Sequence, residues 1–292
     1  PLWREGRMKL DTITLVMHRT KPNVEELAQA VTLAFRREGF AVQAEPWLRE
    51  RVGEKRLFDE PVRPAEAIVA VGGDGTLLRA NQEAVAAGVP LLGINVGHIG
   101  FLVEAELCQL AEAARRLKTG EYAIERRMML EAARENGQRF TALNDVVVSR
   151  GGYTRLIAME ARVDGDLIGR YVADGVIVSS PTGSTGYSLS AGGPIVCPQV
   201  DCMLITPICA HSLQHRPVVA GAEQTITLLL EQELQAQLEI DGQRAGTLGG
   251  GERITLSRAR QQAQLIRFGE PSFFTRIRYK LSEWSGQEDH RP

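Results

Sequence analysis

Aromatic residues are scarce in this sequence, at 5% of the chain. A surface that stacks successive bases of a single strand needs several of them, so such a platform is argued against. Net charge is nearly absent too: Lys plus Arg is 34 and Asp plus Glu is 36, which leaves −2. A chain so balanced has no overall pull on nucleic acid or on an anionic membrane. Only four cysteines occur, Cys108, Cys197, Cys202 and Cys209, and no two stand as C-x-x-C. Neither a zinc ribbon nor a dithiol redox motif is expected, and four cysteines do not make a disulfide scaffold. A reducing cytoplasm fits best, with the thiols in the core or half-buried. No apolar run reaches about 18 residues, so no membrane-spanning helix is read. The opening PLWREGRMKL has no apolar signal core. Met8 is a candidate start of the folded part, with the residues before it an extension.

What is present is ordinary globular material. The 292 residues are 43% hydrophobic and 24% charged, enough to bury a sizeable core. The first part alternates strand and helix. Thr12 to Met17 (TITLVM) reads as a buried strand. Beyond Pro22, Val24, Leu27, Ala28, Val31, Ala34 and Phe35 recur at helical spacing until Gly39. Strands follow at Phe40 to Gln43, Ala67 to Val71 and Pro90 to Asn95, with helices at Thr76 to Ala87 and Glu104 to Lys118. This alternation predicts a doubly wound parallel sheet over residues 8–121.

After Tyr122 the texture changes. Short alternating runs are punctuated by Asn136-Gly137, Asp164-Gly165 and Asp241-Gly242, pairs suited to the positive φ angles of tight hairpins. Arg155 to Val163 and Thr225 to Leu230 read as strands, and helix is expected at most near Ser184 to Ala191. Residues 122–270 are therefore read as an all-β, sandwich-like domain. Phe273, Phe274, Ile277 and Tyr279 suggest a helix in a C-terminal segment, 271–292, that docks back on the body.

Three motifs carry chemistry. Gly72-Gly73-Asp74-Gly75-Thr76 links the AIVAV strand to a helix. Glycines let backbone N–H groups approach a phosphate, and the helix start adds partial positive charge. It is neither a P-loop nor G-x-G-x-x-G. A carboxylate in such a cradle would hold a metal or take a proton from an attacking hydroxyl. The plain alternative is a tight turn with Asp74 as helix cap. The second motif runs from Ser179 to Ser188, with seven hydroxyl residues in ten. Such a loop would read a sugar and a base edge, with Tyr187 as a stacking face, unless it is a solvated linker. The third is Asn144-Asp145, an amide beside a carboxylate, which would bind a base edge and a ribose diol or simply form a turn.

Together these residues resemble the NAD kinase family. The match rests on GGDGT at Gly72 to Thr76, on Asn144-Asp145, and on DGVIVSSPTGSTGYSLSAGGPI from Asp174 to Ile195. TPICAHSLQHRP from Thr206 and DGQ from Asp241 are weaker matches. The resemblance implies phosphate transfer from ATP to the 2′-hydroxyl of the adenosine ribose of NAD, giving NADP. It implies Asp74 as general base, with Gly72, Gly73, Gly75 and Thr76 as the ATP phosphate loop. For NAD it implies contacts from Asp74, Gly75, Arg79, Asn144, Asp145, Asp174 and Gln243, and less securely Arg155 and Val172. Thr185, Gly186, Tyr187, Ser188, Leu189 and Ser190 match the adenosine loop. A divalent cation, Mg²⁺, is implied through ATP, with no protein metal cage, and so is a homodimer or homotetramer. Gly186 stands where the family has Ala, Ala210 where it has Pro, and Ser180 where Thr is common.

Site assembly is expected from both halves of the chain. His98 would line the dinucleotide cleft or be a loop histidine. His211 and His215 are four apart, but Pro217 argues against a helical zinc pair. Arg126-Arg127 reads as a solvated face or subunit contact. Two alternatives stay open: a lipid or other small-molecule kinase sharing GGDGT, and a non-catalytic NAD(P)-binding sensor.

Overall fold

A computed structural model describes residues 3–6, 9–53, 57–59, 63–97, 100–152, 155–212, 215–231, 235–269 and 272–285. The chain folds as two compact units. One comprises the chain up to Arg126 and again from Gln264, and the other is Arg127–Ala263. Met8 and His98 lie outside the described residues.

The first unit is built on parallel strands in the spatial order Ala41–Ala44, Thr12–Met17, Ala67–Gly72, Leu91–Asn95. Leu265, near the end of the strand Arg253–Arg267, pairs in parallel with Leu91. Ala67–Gly72 is buried along its whole length, as a central strand covered on both faces must be. Ile13, Leu15, Val69, Val71, Leu92 and Ile94 point to one face. There they meet Leu27, Val31 and Phe35 of the helix Val24–Arg37 and Leu110 and Leu117 of the helix Leu110–Thr119. The helix Asp74–Ala87 packs so close to Leu91–Asn95 that a Cβ on Gly93 would meet Leu77 at 2.5 Å. Four helices of this unit stop at glycines in the left-handed region: Gly39 (φ 80°), Gly53 (φ 67°), Gly88 (φ 69°) and Gly120 (φ 79°). The C-terminal helix Phe273–Ser285 docks on this unit through Arg276, whose guanidinium donates to Val103 O and to Glu104.

The second unit is antiparallel β in two sheets. One has the order Val218–Gly221, Cys202–Ile208, Gly175–Ser179, Asp145–Ser149, Gln235–Ile240, Gln243–Gly249. The other carries Asp166–Ala173, Ile157–Val163 and Ile226–Leu230, continuing to Arg253–Arg267. A single core lies between them, with Val146, Val176 and Ile205 from the first sheet against Met159, Leu228 and Ile254 from the second. Among the described residues of this unit the longest helix is the single turn Tyr187–Ser190.

The structure corrects several expectations. The helix expected from Glu104 begins only at Leu110. Ala105–Glu106 is drawn into the sheet beside Ile94–Asn95, and Glu106 and Gln109 then form a reciprocal cap. A further helix, Pro46–Val52, has no apolar periodicity that marks it in the sequence. Asp164-Gly165 and Asp241-Gly242 adopt two consecutive positive φ angles, but at Asn136-Gly137 only Gly137 does. Arg127 is buried rather than solvated, because neighbours on a strand face opposite ways, and it donates to Thr182 Oγ1 at 3.2 Å. Cys108 and Cys209 are exposed instead of half-buried. His215 packs edge-on against Tyr171, with ring centroids 4.8 Å apart.

Candidate active site

In the first unit, Ala67–Gly72 ends at its carboxyl end in the glycine loop, and the helix Asp74–Ala87 begins there. A Cβ on Gly72 would collide with the Thr76 side chain, so the turn admits only glycine. A Cβ on Gly73 or Gly75 would meet nothing within 4 Å. The first N–H groups of the helix have no intrahelical acceptor, so this loop offers donors with no side chain in front of them. The cap residue is Gly73, not Asp74. Asp74 instead turns its carboxylate to the segment after Leu91–Asn95. It accepts Phe101 N–H at 2.9 Å and Leu102 N–H at 3.1 Å. Gly100 is required beside it, since a Cβ there would run into the Asp74 carboxylate.

That segment is itself gripped. Leu102 O accepts from Arg267 Nη1 at 2.8 Å, and Glu104 takes both Arg267 and Arg276. Arg79, one helical turn beyond Asp74, is paired with buried Glu45 and donates to Met17 O at 2.6 Å. Glu45 also accepts Met17 N–H at 3.2 Å. Burial and the nearby Glu45 push the Glu83 carboxyl above its usual range. None of Glu45, Phe101, Leu102 or Glu104 stood out in the sequence as a site residue. Their partners lie far along the chain, and no local spacing marks them.

In the second unit the Asn144-Asp145 pair sits where the strand Asp145–Ser149 begins. Its backbone is held from two sides. The Asp241 carboxylate accepts three consecutive N–H groups, from Leu143 at 2.9 Å, Asn144 at 2.7 Å and Asp145 at 3.2 Å. On the other side Ser180 N–H donates to Asn144 O at 2.8 Å and Ser180 Oγ to Leu143 O at 2.5 Å. A Cβ on Gly183 would collide with the Asn144 backbone, so that approach needs glycine. Asp145 is 5% exposed. Burial, then the charges of Asp241 and Glu239, push its carboxyl up to about 7.

The hydroxyl-rich run divides in two. Ser184 and Ser188 are buried and face inward: Ser184 Oγ donates to Pro181 O at 2.6 Å, and Ser188 Oγ lies 2.9 Å from Thr206 Oγ1. Thr185 Oγ1 closes its own turn on Thr182 O at 3.2 Å. Tyr187 is the outward member, 46% exposed. Burial raises the pKa of its phenol, with the charges of Cys209, Glu239, Asp174 and Asp145 adding to the shift. Gly186 is beside the Asn144-Asp145 pair, with a Cβ there 3.4 Å from Asn144 Nδ2 and 3.9 Å from Asp145 Oδ2. Leu189 is half-buried and Ser190 exposed. Asp174 is neutralised by Arg150, Nε to Oδ1 at 2.5 Å. Gln243 is exposed just past the Asp241-Gly242 turn. Arg155 and Val172 are exposed too, Val172 on the other sheet of this unit. The structure thus brings Asn144, Asp145, Gly186 and Tyr187 together.

Comparison with known proteins agrees over both units. The ATP-NAD kinase N-terminal domain matches residues 13–122, and the ATP-NAD kinase C-terminal domain matches residues 143–268. An NAD kinase of Moorella thermoacetica is 42% identical over 290 residues, covering 97% of this chain and 93% of that protein. An NAD kinase of Gemmatimonas aurantiaca is 40% identical over 252 residues, covering 84% and 86%. The fold is shared with a yeast NADH kinase crystallised with NADH, at TM-score 0.81 and 24% identity over 98% of this chain and 90% of that one. It is shared too with an NAD kinase from Archaeoglobus fulgidus crystallised with ATP, at TM-score 0.71 and 26% identity over 92% and 98%. One family model covers GGDGT and the other the nucleoside-type loop, and the curated relatives at about 40% identity are NAD kinases, so the lipid-kinase and sensor alternatives fall away. At two-fifths identity across nearly its whole length, the chain belongs to the NAD kinase family and is a phosphotransferase.

Proposed function

We propose that this kinase moves the γ-phosphate of ATP to the 2′-hydroxyl of the adenosine ribose of NAD, with Asp74 as the general base. The observation that carries the role of Asp74 is its place: a carboxylate at the first residue of a helix, in a loop whose flanking glycines present bare backbone. Phosphoryl transfer asks the protein mainly for positioning and charge neutralisation. The N–H groups at Gly73 and Gly75 suit the ATP phosphates. Asp74, held by the Phe101 and Leu102 amides, keeps further lone pairs on both oxygens for the attacking hydroxyl. Among the described residues no three His, Cys, Asp or Glu side chains converge on one point. By the family resemblance a magnesium ion would be carried by the ATP phosphates, where it would neutralise their charge.

For the acceptor, Asn144 supplies an amide, Asp145 a carboxyl and Tyr187 an exposed ring, which suits a ribose diol and a base face. Ser184 and Ser188, with their hydroxyls bonded inside the protein, hold the loop from beneath. All four cysteines are free thiols, which supports a reducing, cytoplasmic setting. The family resemblance supports a homodimer or homotetramer, which sedimentation would measure.

The test is Asp74→Asn, which keeps the shape and removes the basicity. Turnover should fall about 10² to 10⁴-fold while NAD still binds. Near-wild-type turnover in that variant would end the proposal for Asp74. The 2′-deoxyadenosine analogue of NAD should accept no phosphate, and labelled phosphate on it would refute the 2′-hydroxyl as acceptor.

A further inference from the structure

We propose that Asp241 is the positioning residue of the Asn144-Asp145 pair, its carboxylate gathering three consecutive backbone N–H groups and so fixing how both side chains meet the dinucleotide. This rests on the acceptor reading above. Asp241 and Gly242 form the two-residue turn between Gln235–Ile240 and Gln243–Gly249, at φ 48° and 73°. Turn chemistry alone asks only for Asn or Asp followed by Gly.

The same chain holds an internal comparison. Asp164 has φ 49° in an equivalent Asp-Gly turn, and among the described residues its carboxylate serves only Thr225 N–H at 2.8 Å and Gln224 Nε2 at 3.0 Å. At Asp241 the carboxylate reaches across to Leu143, Asn144 and Asp145, and the Asp241 N–H returns to Asp145 O at 3.0 Å. Four hydrogen bonds therefore clamp residues 143–145, three of them on the Asn144-Asp145 pair expected to read the nucleoside.

The arrangement also carries a penalty that a purely structural turn would avoid. Asp145 is buried, and the groups facing it are Asp241, Glu239 and the Tyr187 phenol, two of them carboxylates. An Asn at position 241 would keep the turn and remove one like charge. Asn144 Oδ1 is meanwhile buried and accepts no hydrogen bond among the described residues. A buried amide oxygen left open, beside a carboxyl kept under like-charge pressure, is the mark of a pair arranged for a ligand and not for stability.

The experiment is Asp241→Asn, with Asp164→Asn as control. In Asp241→Asn one carboxylate oxygen becomes an amide NH₂ facing an N–H donor, so the clamp on residues 143–145 loosens while the Asn-Gly turn stays favourable. KM for NAD should rise on the order of tenfold, as for loss of a charge-assisted hydrogen bond, with KM for ATP unchanged within about twofold. The acid limb of kcat/KM for NAD should move to lower pH, because a like charge beside Asp145 is gone. Asp164→Asn should alter neither. Calorimetric titration with NAD gives the same comparison without turnover, and thermal melts confirm that both variants fold. Equal KM values for NAD in Asp241→Asn and wild type would overturn the inference, as would equal rises for NAD and ATP. If the wild type makes no NADP, the kinase reading falls, and the calorimetric NAD affinity of the two variants still decides the role of Asp241.

Discussion

Replacing Glu104 by Gln should unbalance the most deeply buried charges described in the first unit. The Glu104 side chain is 2% exposed. One oxygen accepts Phe268 N–H at 2.7 Å, and the other takes Arg267 Nη1 at 3.0 Å and Arg276 Nη2 at 2.7 Å. Arg267 also donates Nε to Glu125 at 2.7 Å. Two guanidinium groups thus face two carboxylates. Gln removes one negative charge, and its amide can turn only one acceptor oxygen to donors that now want more. Arg does not shed its proton, so one buried positive charge is left over. Breaking a buried pair from one side costs about 3–5 kcal/mol, roughly a fifth or more of the stability of an ordinary domain. All three tryptophans, Trp3, Trp47 and Trp284, belong to the first unit, so intrinsic fluorescence reports on it. With a urea slope near 2 kcal/mol/M, the fluorescence midpoint should drop by roughly 2 M. A second variant checks the cause: Glu104→Gln with Arg276→Gln restores neutrality and should recover part of the loss. A midpoint within about 0.5 M of wild type, or a double variant worse than the sum of the singles, would refute the charge-balance reasoning. Turnover should also fall in folded Glu104→Gln, because Leu102, whose N–H holds Asp74, has its carbonyl held by Arg267.

Asp145 predicts a pH effect in the second unit. Its folded carboxyl sits at about 7 against an ordinary 3.8, so the folded state keeps a proton that the unfolded chain releases. Stability from this group therefore falls as pH rises from about 4 to about 7. Asp145→Asn removes that dependence. Relative to wild type it should be more stable at pH 8 than at pH 4.5 by roughly 2–4 kcal/mol in denaturant melts followed by circular dichroism, and no difference would count against the shift. Gly100→Ala would force the Asp74 carboxylate off the Phe101 and Leu102 amides, so kcat should fall at least tenfold with a much smaller loss of stability, measured by turnover and melting temperature together. At Gly186 φ is −96°, and a Cβ would meet Gly183 O at 3.3 Å and Asn144 Nδ2 at 3.4 Å. Gly186→Ala, the family residue, should therefore change stability by less than about 1 kcal/mol and leave turnover within a few-fold of wild type; a collapse of either would show that the loop needs glycine there.

The sequence by itself determined the elements whose cause is local. TITLVM became the strand Thr12–Met17 residue for residue, because six β-branched or apolar side chains suit a strand buried on both faces. Helices stopped at Gly39, Gly88 and Gly120 because each sits at a positive φ that other residues resist. GGDGT, Asn144-Asp145 and the Ser179 to Ser188 run were legible for the same reason, since their chemistry is written in adjacent residues. Tertiary structure alone decided what depends on partners far along the chain. It turned Ser184 and Ser188 inward to Val196 and Thr206 while Tyr187 faced out, a choice set by what packs on each side of the loop. It drew Ala105–Glu106 into the sheet against a helical composition, since pairing with Ile94–Asn95 outweighs local propensity. It set Asp241 under Asn144, 97 residues away, and Arg267 against Glu104, 163 residues away. No periodicity records such pairings, because they exist only once the intervening chain has folded and taken both partners out of water.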